Sequence, residues 1–587
     1  MVKRIAVVDK EKCNSVGCGD YLCERLCPIN RTGEECIVKN NDTNKAVIYE
    51  NMCTGCGICV NRCPYGAISI INLPDELDKD PIHKFGMNGF HLFNLPIPIF
   101  GKVVGILGRN GIGKSTALKI LSGMLKPNFG DFKKESNWDD LIEYFKGTEA
   151  QTYFEKVKNN EITVSYKPQQ VDLIPKTTKG KVKDILTKLD EKNDFEKISK
   201  SLDLTKILNN DLETLSGGEL QRVAIAATVL KKANLYVFDE PTSFLDIKQR
   251  IKISKFIRQL ANENTAVLVV EHDLIILDYM TDLIHLMYGK EGAYGVVSQP
   301  QSTKQGINSY LEGYLQNGNV RFRNSKIKFD KKQFIGEKES EKLTSWKNIK
   351  KKLDNFTLKA MEGEIFRKDV VGILGENGIG KTSFIKILAE VIKQDEGDVE
   401  TKLKISYKPQ YIDTESKELV ISILDLAMKS YKTQLIGPLN IEPLLMKQVN
   451  QLSGGELQRV AITLCLSQEA DLYLMDEPSA YLDIEQRLLI SKVIKDFVDV
   501  KGKTALVVDH DLLFIDYLSD KILVFEGEPA IKGNAIGPFE MEKGMNIFLK
   551  DLNLTFRRDS ESHRPRANKP DSQMDQKQKK EGILYYL

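Results

Sequence analysis

No apolar run in this sequence reaches the ~20 residues that a membrane-spanning helix needs. The opening residues, MVKRIAVVDKEKC, lack the long apolar core of a secretory signal. Neither sign of charge dominates: 84 Lys and Arg face 82 Asp and Glu, a net charge of +2. Without a global field, any basic surface for nucleic acid must be local. Cysteine is nearly missing beyond residue 63, where only Cys465 occurs, in an apolar helical stretch that suits a small core residue. These absences argue against a chain with its own membrane segment and against a secreted disulfide scaffold. A cytoplasmic location, with a nuclear one also open, is expected. What remains is ordinary: 587 residues, 41% hydrophobic and 28% charged, predict a globular protein of several domains.

One repeat organises the chain. The eleven residues LSGGELQRVAI at 215–225 recur at 452–462, 237 positions later. An identical run of that length is not chance, and each copy has the same neighbours. Upstream, GRNGIGKST begins at Gly108 and GENGIGKTS at Gly375, each after an apolar strand and each running into a helix. Glycines let backbone N–H groups turn in on a phosphate, and the helix N-terminus adds positive potential. The expected ATP-binding residues are Gly108, Asn110, Gly111, Gly113, Lys114, Ser115 and Thr116, and in the second copy Gly375, Asn377, Gly378, Gly380, Lys381, Thr382 and Ser383. Lys114 and Lys381 would reach the β- and γ-phosphates, and the Ser115 and Thr382 hydroxyls would ligate Mg²⁺. Downstream lie LYVFDEP at 235–241 and LYLMDEP at 472–478, then VVEHD with His272 and VVDHD with His510.

Nine cysteines crowd the first 63 residues. The run Cys53-x2-Cys56-x2-Cys59-x3-Cys63-Pro64 has the bacterial ferredoxin spacing, and Cys13-x4-Cys18-x4-Cys23-x3-Cys27-Pro28 is a looser version. In two-cluster ferredoxins the fourth cysteine of each run crosses to the other cluster. Two [4Fe–4S] clusters follow, one on Cys53, Cys56, Cys59 and Cys27, the other on Cys13, Cys18, Cys23 and Cys63. Cys36 is left over as a free thiol. A zinc site is the bland alternative, which this spacing disfavours.

The order of motifs in both halves resembles the ABC-type ATPases, so the expected fold class is α/β. Two tandem ABC-type P-loop ATPase domains would follow an α+β ferredoxin-like iron–sulfur domain. The expected divisions are 1–75 for the iron–sulfur domain, 76–292 and 343–534 for the two ATPases, 293–342 for a hinge and linker, and 535–587 for a second hinge with a basic tail. The resemblance implies further roles. Gln169 and Gln410, in SYKPQQ and SYKPQY, would touch Mg²⁺ and the attacking water. Asp239 and Asp476 would hold Mg²⁺, Glu240 and Glu477 would polarise the water, and His272 and His510 would contact the γ-phosphate. Ser216 with Gly218, and Ser453 with Gly455, would face nucleotide held by the opposite half, pairing Lys114 with Ser453 and Lys381 with Ser216. Asp246 and Asp483 would touch the opposite half. An aromatic from Phe85, Phe90, Trp346 and Phe356 would stack on adenine.

The halves also differ. From Gly108 to Gln169 is 61 positions but from Gly375 to Gln410 only 35, which leaves 26 extra residues in the first half. Trp138, Leu141, Ile142 and Phe145 have helical spacing, Gly147 interrupts, and a second helix runs through Phe154. A helix–loop–helix at about 132–160 is predicted, a candidate docking element. The segments 293–323 and 535–558 share G(I/M)N-x-(Y/F)L and end in RFR or FRR, so the connectors are duplicated as well. The tail from 557 is polar and basic, and reads as a solvated end or a phosphate contact.

Two ATPases, paired hinges and a double-cluster domain together resemble ABC class E, the ribosome-recycling ATPase family of the RNase L inhibitor. That resemblance implies ATP hydrolysis coupled to splitting of ribosomes after termination or rescue. The implied partners are the ribosome, mainly its small subunit, a class-1 release factor or Pelota, and initiation factors; a monomer is expected. An ATP-gated iron–sulfur electron-transfer protein and the ATPase subunit of a separate transporter are the competing classes. No flavin or substrate-reduction site supports the former, and fused halves carrying cysteines argue against the latter.

Overall fold

The strands of both halves are written as unbroken apolar runs such as VVGIL, LYVFD and AVLVV, a pattern that suits parallel strands covered on both faces. A computed structural model of the chain describes residues 4–40, 43–72, 80–131, 136–324, 326–327, 329, 341–400, 403–410 and 415–585. In the first half the strands Val164–Lys167, Leu235–Asp239, Ala266–Val270, Val103–Leu107 and Leu283–Lys290 lie side by side in parallel. The second half repeats the order with Ile405–Lys408, Leu472–Asp476, Thr504–Val508, Val370–Leu374 and Lys521–Glu528. The central runs are fully buried in both. Antiparallel strands extend each sheet on one side, and in the second half they include the long strand Lys342–Leu353. The motif residues therefore sit at the C-terminal ends of parallel strands, where an open α/β sheet forms its ligand crevice.

Residues 4–72 pack as a smaller unit. Arg4–Val8 pairs antiparallel with Ile68–Asn72, and Ile37–Asn40 with Lys45–Ile48. The helices Leu22–Leu26 and Ile58–Arg62 bring the two cysteine runs together around a core of Ala6, Val8, Ile37 and Ile48. Pro28 occupies the first turn of a further short helix, Pro28–Arg31, where its missing N–H costs nothing.

The extra residues of the first half form helices Trp138–Tyr144 and Glu149–Lys158 on either side of Gly147, whose φ is +78°. The second helix continues past Phe154, and the insertion's expected start at 132–135 lies outside the described residues, as does 330–340 of the linker. The inner face is aromatic. Phe145 and Phe154 stack at 5.5 Å, Trp138 lies 6.3 Å from Phe154, and Tyr153 Oη donates to Leu121 O at 3.1 Å. The insertion is thus rooted in the first half's core and leaves its polar faces outward.

The duplicated connectors have one physical cause. Helices Thr303–Glu312 and Met541–Leu552 lie across the strands that precede them. A Cβ on Gly306 would stand 3.2 Å from Ile284 Cβ, and one on Gly544 2.6 Å from Ile522 Cβ, so glycine permits both crossings. The following asparagines hold the C-terminal segment. Asn308 Nδ2 donates to Asp559 Oδ1 at 3.1 Å, and Asn546 Oδ1 accepts from Leu584 N at 2.8 Å.

The C-terminal segment departs from expectation. It is neither a loose solvated end nor a free cationic surface. Phe556–Arg558 and Pro565–Ala567 form a hairpin, followed by helix Gln573–Glu581. Three of its arginines are taken by carboxylates. Arg564 and Arg566 converge on Asp278 of the first half at 3.0 and 2.6 Å, and Arg558 forks onto Asp516 of the second at 2.8 and 3.0 Å. Asp278 and Asp516 occupy matching places in the helices Leu274–Met280 and Leu512–Leu518, which abut where the halves meet. The segment therefore bridges the two halves.

Candidate functional site

Helices Lys114–Leu121 and Lys381–Leu388 start at Gly113 and Gly380, both at positive φ (+89° and +94°). Each loop curls around its own lysine. Lys114 Nζ donates to Gly108 O (2.8 Å), Arg109 O (2.6 Å) and, at 3.4 Å, to Asn110 Oδ1. Lys381 Nζ donates to Gly375 O and Glu376 O, both at 2.7 Å. Burial pushes both ammonium groups down to about 8, against the pull of nearby carboxylates. A bound polyphosphate would raise them again. Nucleotide binding near pH 8–9 should therefore draw protons from solution, a change that calorimetry in buffers of different ionisation enthalpy measures. Binding with no proton uptake would remove these lysines from contact with phosphate.

The acids at the strand ends face the loops. Thr382 Oγ1 donates to Asp476 Oδ2 at 2.7 Å, and Ser115 bonds to Asp239 in the same place. Burial raises the pKa of both aspartates, partly offset by these hydroxyls. The next residues, Glu240 and Glu477, have φ of +48° and +47°, a left-handed backbone that costs a non-glycine residue energy and persists only where neighbours over-determine it. The neighbours are on hand. Glu240 N donates to Val270 O at 3.0 Å, and its carbonyl accepts from Lys167 Nζ (3.2 Å) and Gln221 Nε2 (2.6 Å). Glu477 N donates to Val508 O at 2.8 Å, and its carbonyl accepts from Lys408 Nζ (3.3 Å) and Gln458 Nε2 (3.2 Å).

The glutamate side chains are equally constrained. Gln169 Nε2 donates to Glu240 Oε1 at 2.7 Å, Ser243 Oγ donates to Oε2 at 3.1 Å, and His272 Nε2 stands 3.4 Å from Oε1. Gln410 and His510 repeat these contacts on Glu477 at 2.8 and 3.5 Å. Burial alone would raise both carboxyls. The histidine and the loop lysine outweigh it and hold each at about 2. Each glutamate is thus an ionised acceptor aimed at the space above the phosphate loop.

Four of these residues escaped sequence reasoning. Lys167, Lys408, Gln221 and Gln458 were legible as repeated letters, in SYKPQ and in GGELQR, but nothing in the spacing shows that they grip the backbone of a residue far along the chain. A fifth, Glu291, sits on the first loop. A Cβ on Gly111 would lie 2.5 Å from Glu291 Cγ.

Helices Gly217–Leu230 and Gly454–Ser467 begin at Ser216 and Ser453, each closed by a capping box with Glu219 or Glu456. Gly217 and Gly454 rest on Phe244 and Tyr481 of their own half, at 3.3 and 3.0 Å from a built Cβ. The halves then meet reciprocally. Asn110 N donates to Asp483 Oδ2 at 3.4 Å, and Asn377 N donates to Asp246 Oδ2 at 3.1 Å. Each phosphate loop is therefore touched by the segment that follows the other half's acid pair.

The aromatic candidates separate. Phe90 and Phe356 lie in matching places, 2.7 and 2.9 Å from a Cβ built on Gly113 and Gly380. Phe85 is 45% exposed and packs edge-on against His83. Trp346 does not take the expected adenine-stacking place: it is 1% exposed and lies edge-on against Phe384 at 5.2 Å in the sheet core, with no face left for a base.

In residues 4–72, Cys13, Cys18, Cys23 and Cys63 border one small cavity, with Tyr21 and Ile68 closing it. Cys59 shares a second neighbourhood with Cys53, Cys56 and Cys27. Among the described residues no three His, Cys, Asp or Glu side chains converge on a point that one ion would occupy. Thiols spaced around a cavity suit a polynuclear cluster better than a single zinc ion. Cys36 is buried against Cys27 and Cys53, and burial first, then those neighbours, pushes its thiol up to about 12. A polar cavity bordered by Thr163, Lys192, Asn234 and Tyr236 lies at the opposite ends of the first sheet's strands and holds none of the expected site residues. Among the described residues no helix is long and apolar enough to cross a membrane.

Residues 99–243 and 358–480 match the family described as ABC transporter, residues 46–69 the 4Fe-4S binding domain, and residues 4–35 a possible Fer4-like domain in RNase L inhibitor. Translation initiation factor RLI1 of Saccharomyces cerevisiae is 44% identical over 598 residues, covering 100% of this chain and 98% of that one. Among solved structures, a ribosome-bound archaeal Pelota and ABCE1 assembly includes a chain 52% identical, with a TM-score of 0.93 and full coverage of both chains. The archaeal recycling factor aABCE1 in complex with the ribosomal stalk protein aP1 is 50% identical with a TM-score of 0.84, covering 87% of this chain and 100% of that one.

Proposed function

The chain belongs to the ABC class E family, that of the RNase L inhibitor, and on that premise we propose that it is an ATP-driven ribosome recycling factor. It splits ribosomes into subunits after termination or rescue and remains linked to initiation on the small subunit. Its partners are the ribosome, Pelota or a class-1 release factor, and the ribosomal stalk; it works in the cytoplasm. The observation that carries the mechanism is the reciprocal contact of Asn110 with Asp483 and Asn377 with Asp246. Each site is built from both halves, so ATP bridges them, with Lys114 opposite Ser453 and Lys381 opposite Ser216.

Glu240 and Glu477 accept a proton from the water that attacks the γ-phosphate, while Gln169 and Gln410 fix the carboxylates, and ADP and phosphate leave as the halves part. His272 and His510 sit beside the glutamates to receive the transferred phosphoryl group's charge. Phe90 and Phe356 are the adenine contacts that the geometry favours. Ser115 with Asp239 and Gln169, and Thr382 with Asp476 and Gln410, would hold Mg²⁺, which when bound neutralises phosphate charge. Cys13, Cys18, Cys23 and Cys63 would hold one [4Fe–4S] cluster and Cys27, Cys53, Cys56 and Cys59 a second, cross-linking a unit too small for a large core. That unit rides on the first ATPase: Asn88 Nδ2 donates to Ala6 O and Ile48 O at 2.9 and 2.8 Å. Closure of the halves would move it as a rigid body.

Sucrose-gradient sedimentation with ribosomes and a non-hydrolysable ATP analogue tests the reading. The protein should travel with the small subunit, and ATP with Pelota should convert whole ribosomes to subunits. Protein that stays at the top of the gradient in every nucleotide state would end the proposal.

A further inference from the structure

The two phosphate loops differ at their second residue, Arg109 in GRNG and Glu376 in GENG. The helices that face them differ as well, with Lys248 two residues after Asp246 and Glu485 two residues after Asp483. The fold brings these four side chains together as two pairs across the halves. Arg109 forms an ion pair with Glu485, which also takes Arg323 Nη1 at 2.7 Å. Lys248 Nζ lies 2.7 Å from Glu376 Oε1, with Asp551 at 3.8 Å. The pairs are equivalent in position, beside the bonds that tie Asn110 to Asp483 and Asn377 to Asp246. Their polarity is reversed: the cation is on the loop at the first composite site and on the facing helix at the second.

Reversal has a physical consequence. Pairing of two first halves would set Arg109 against Lys248, and pairing of two second halves would set Glu376 against Glu485. Both put repulsion where the native pairing has attraction. We propose that these four residues form a pairing code, selecting first half against second and giving each ATP site its own electrostatic latch. All four side chains keep some solvent contact, so each pair adds little by itself. Its leverage lies in the change from attraction to repulsion at a seam that must open and close in every cycle. The inference rests on nucleotide being shared between the halves, as proposed above.

The test uses the full-length chain with Glu240→Gln and Glu477→Gln, loaded with radiolabelled ATP and followed as the nucleotide dissociates. Lys114→Ala identifies which portion of the label belongs to the first site. Arg109→Glu should then speed release from that site about three- to tenfold and leave the other site alone. Lys248→Glu should do the same at the second site only. Adding Glu376→Lys to Lys248→Glu should restore slow release there; the first site offers no such rescue, because Glu485 also holds Arg323. Higher salt should narrow every difference. Reversal variants that release both nucleotides like the parent would overturn the code. So would a double variant that melts like the parent yet shows no recovery. A parent that retains no nucleotide at all would instead remove the shared-site reading on which the code stands.

Discussion

Replacing Glu240 and Glu477 together by glutamine should lower ATP turnover by about 10²–10⁴-fold, the range that a positioned base supplies, while nucleotide still binds. The amide keeps the shape of the carboxylate and one acceptor oxygen for the Gln169 or Gln410 amide, but it cannot accept the proton. Phosphate release in the steady state measures turnover, and ribosome light scattering measures ATP-dependent splitting. Turnover equal to the parent's would dismiss both residues from the chemistry. The acid dependence has a definite sign. Each carboxyl is held at about 2, below its ordinary 4.5, because His272 or His510 and the loop lysine outweigh burial. A depressed carboxyl contributes stability that is complete above pH 4.5 and lost as pH falls toward 2. Loss of activity between pH 5 and 7 would therefore have to come from another group.

The second large effect lies far from the chemistry. Asp278→Asn should cost about 3–5 kcal/mol, the penalty for removing one partner of a buried ion pair. Arg564 is fully buried and Asp278 is its carboxylate, while Arg566 also draws on Asp559 at 3.2 Å. With a neutral partner, buried Arg564 would lose its carboxylate while Arg566, partly exposed and still paired with Asp559, stays beside it. The hairpin 556–567 meets the first half through these contacts and the Asn308 bond, while Arg558 on Asp516 ties it to the second. Its first-half side should therefore loosen before the ATPase cores melt. Amide exchange across 556–567 and limited proteolysis of the tail would show the opening. A variant whose tail stays protected and whose melting is unchanged would contradict the account of this segment as a clasp.

The architecture of each half and most of its chemistry are written locally in the chain. Loops such as GRNGIGKST and strands such as LYVFDEP are local instructions: glycine where the backbone must turn toward phosphate, unbroken apolar runs where a strand is covered on both faces. Because those instructions occur twice in one order, family and fold were legible without coordinates. The inserted helices were visible for the same reason, as a helical period interrupted by Gly147.

Relations between distant residues come only from packing. Trp346 reads as an aromatic beside a nucleotide loop, yet its position in the long strand Lys342–Leu353 buries it against Phe384. The basic tail reads as a solvated end or a phosphate contact, since charge is local in sequence but its neutralisation by Asp278 and Asp516 is not. The left-handed backbone of Glu240 is held by Lys167 and Gln221, and the reversed pairs Arg109–Glu485 and Lys248–Glu376 exist only once two halves face each other. Composition and spacing specify what a residue is able to do; the partner that makes it do so arrives through packing, across separations of up to hundreds of residues.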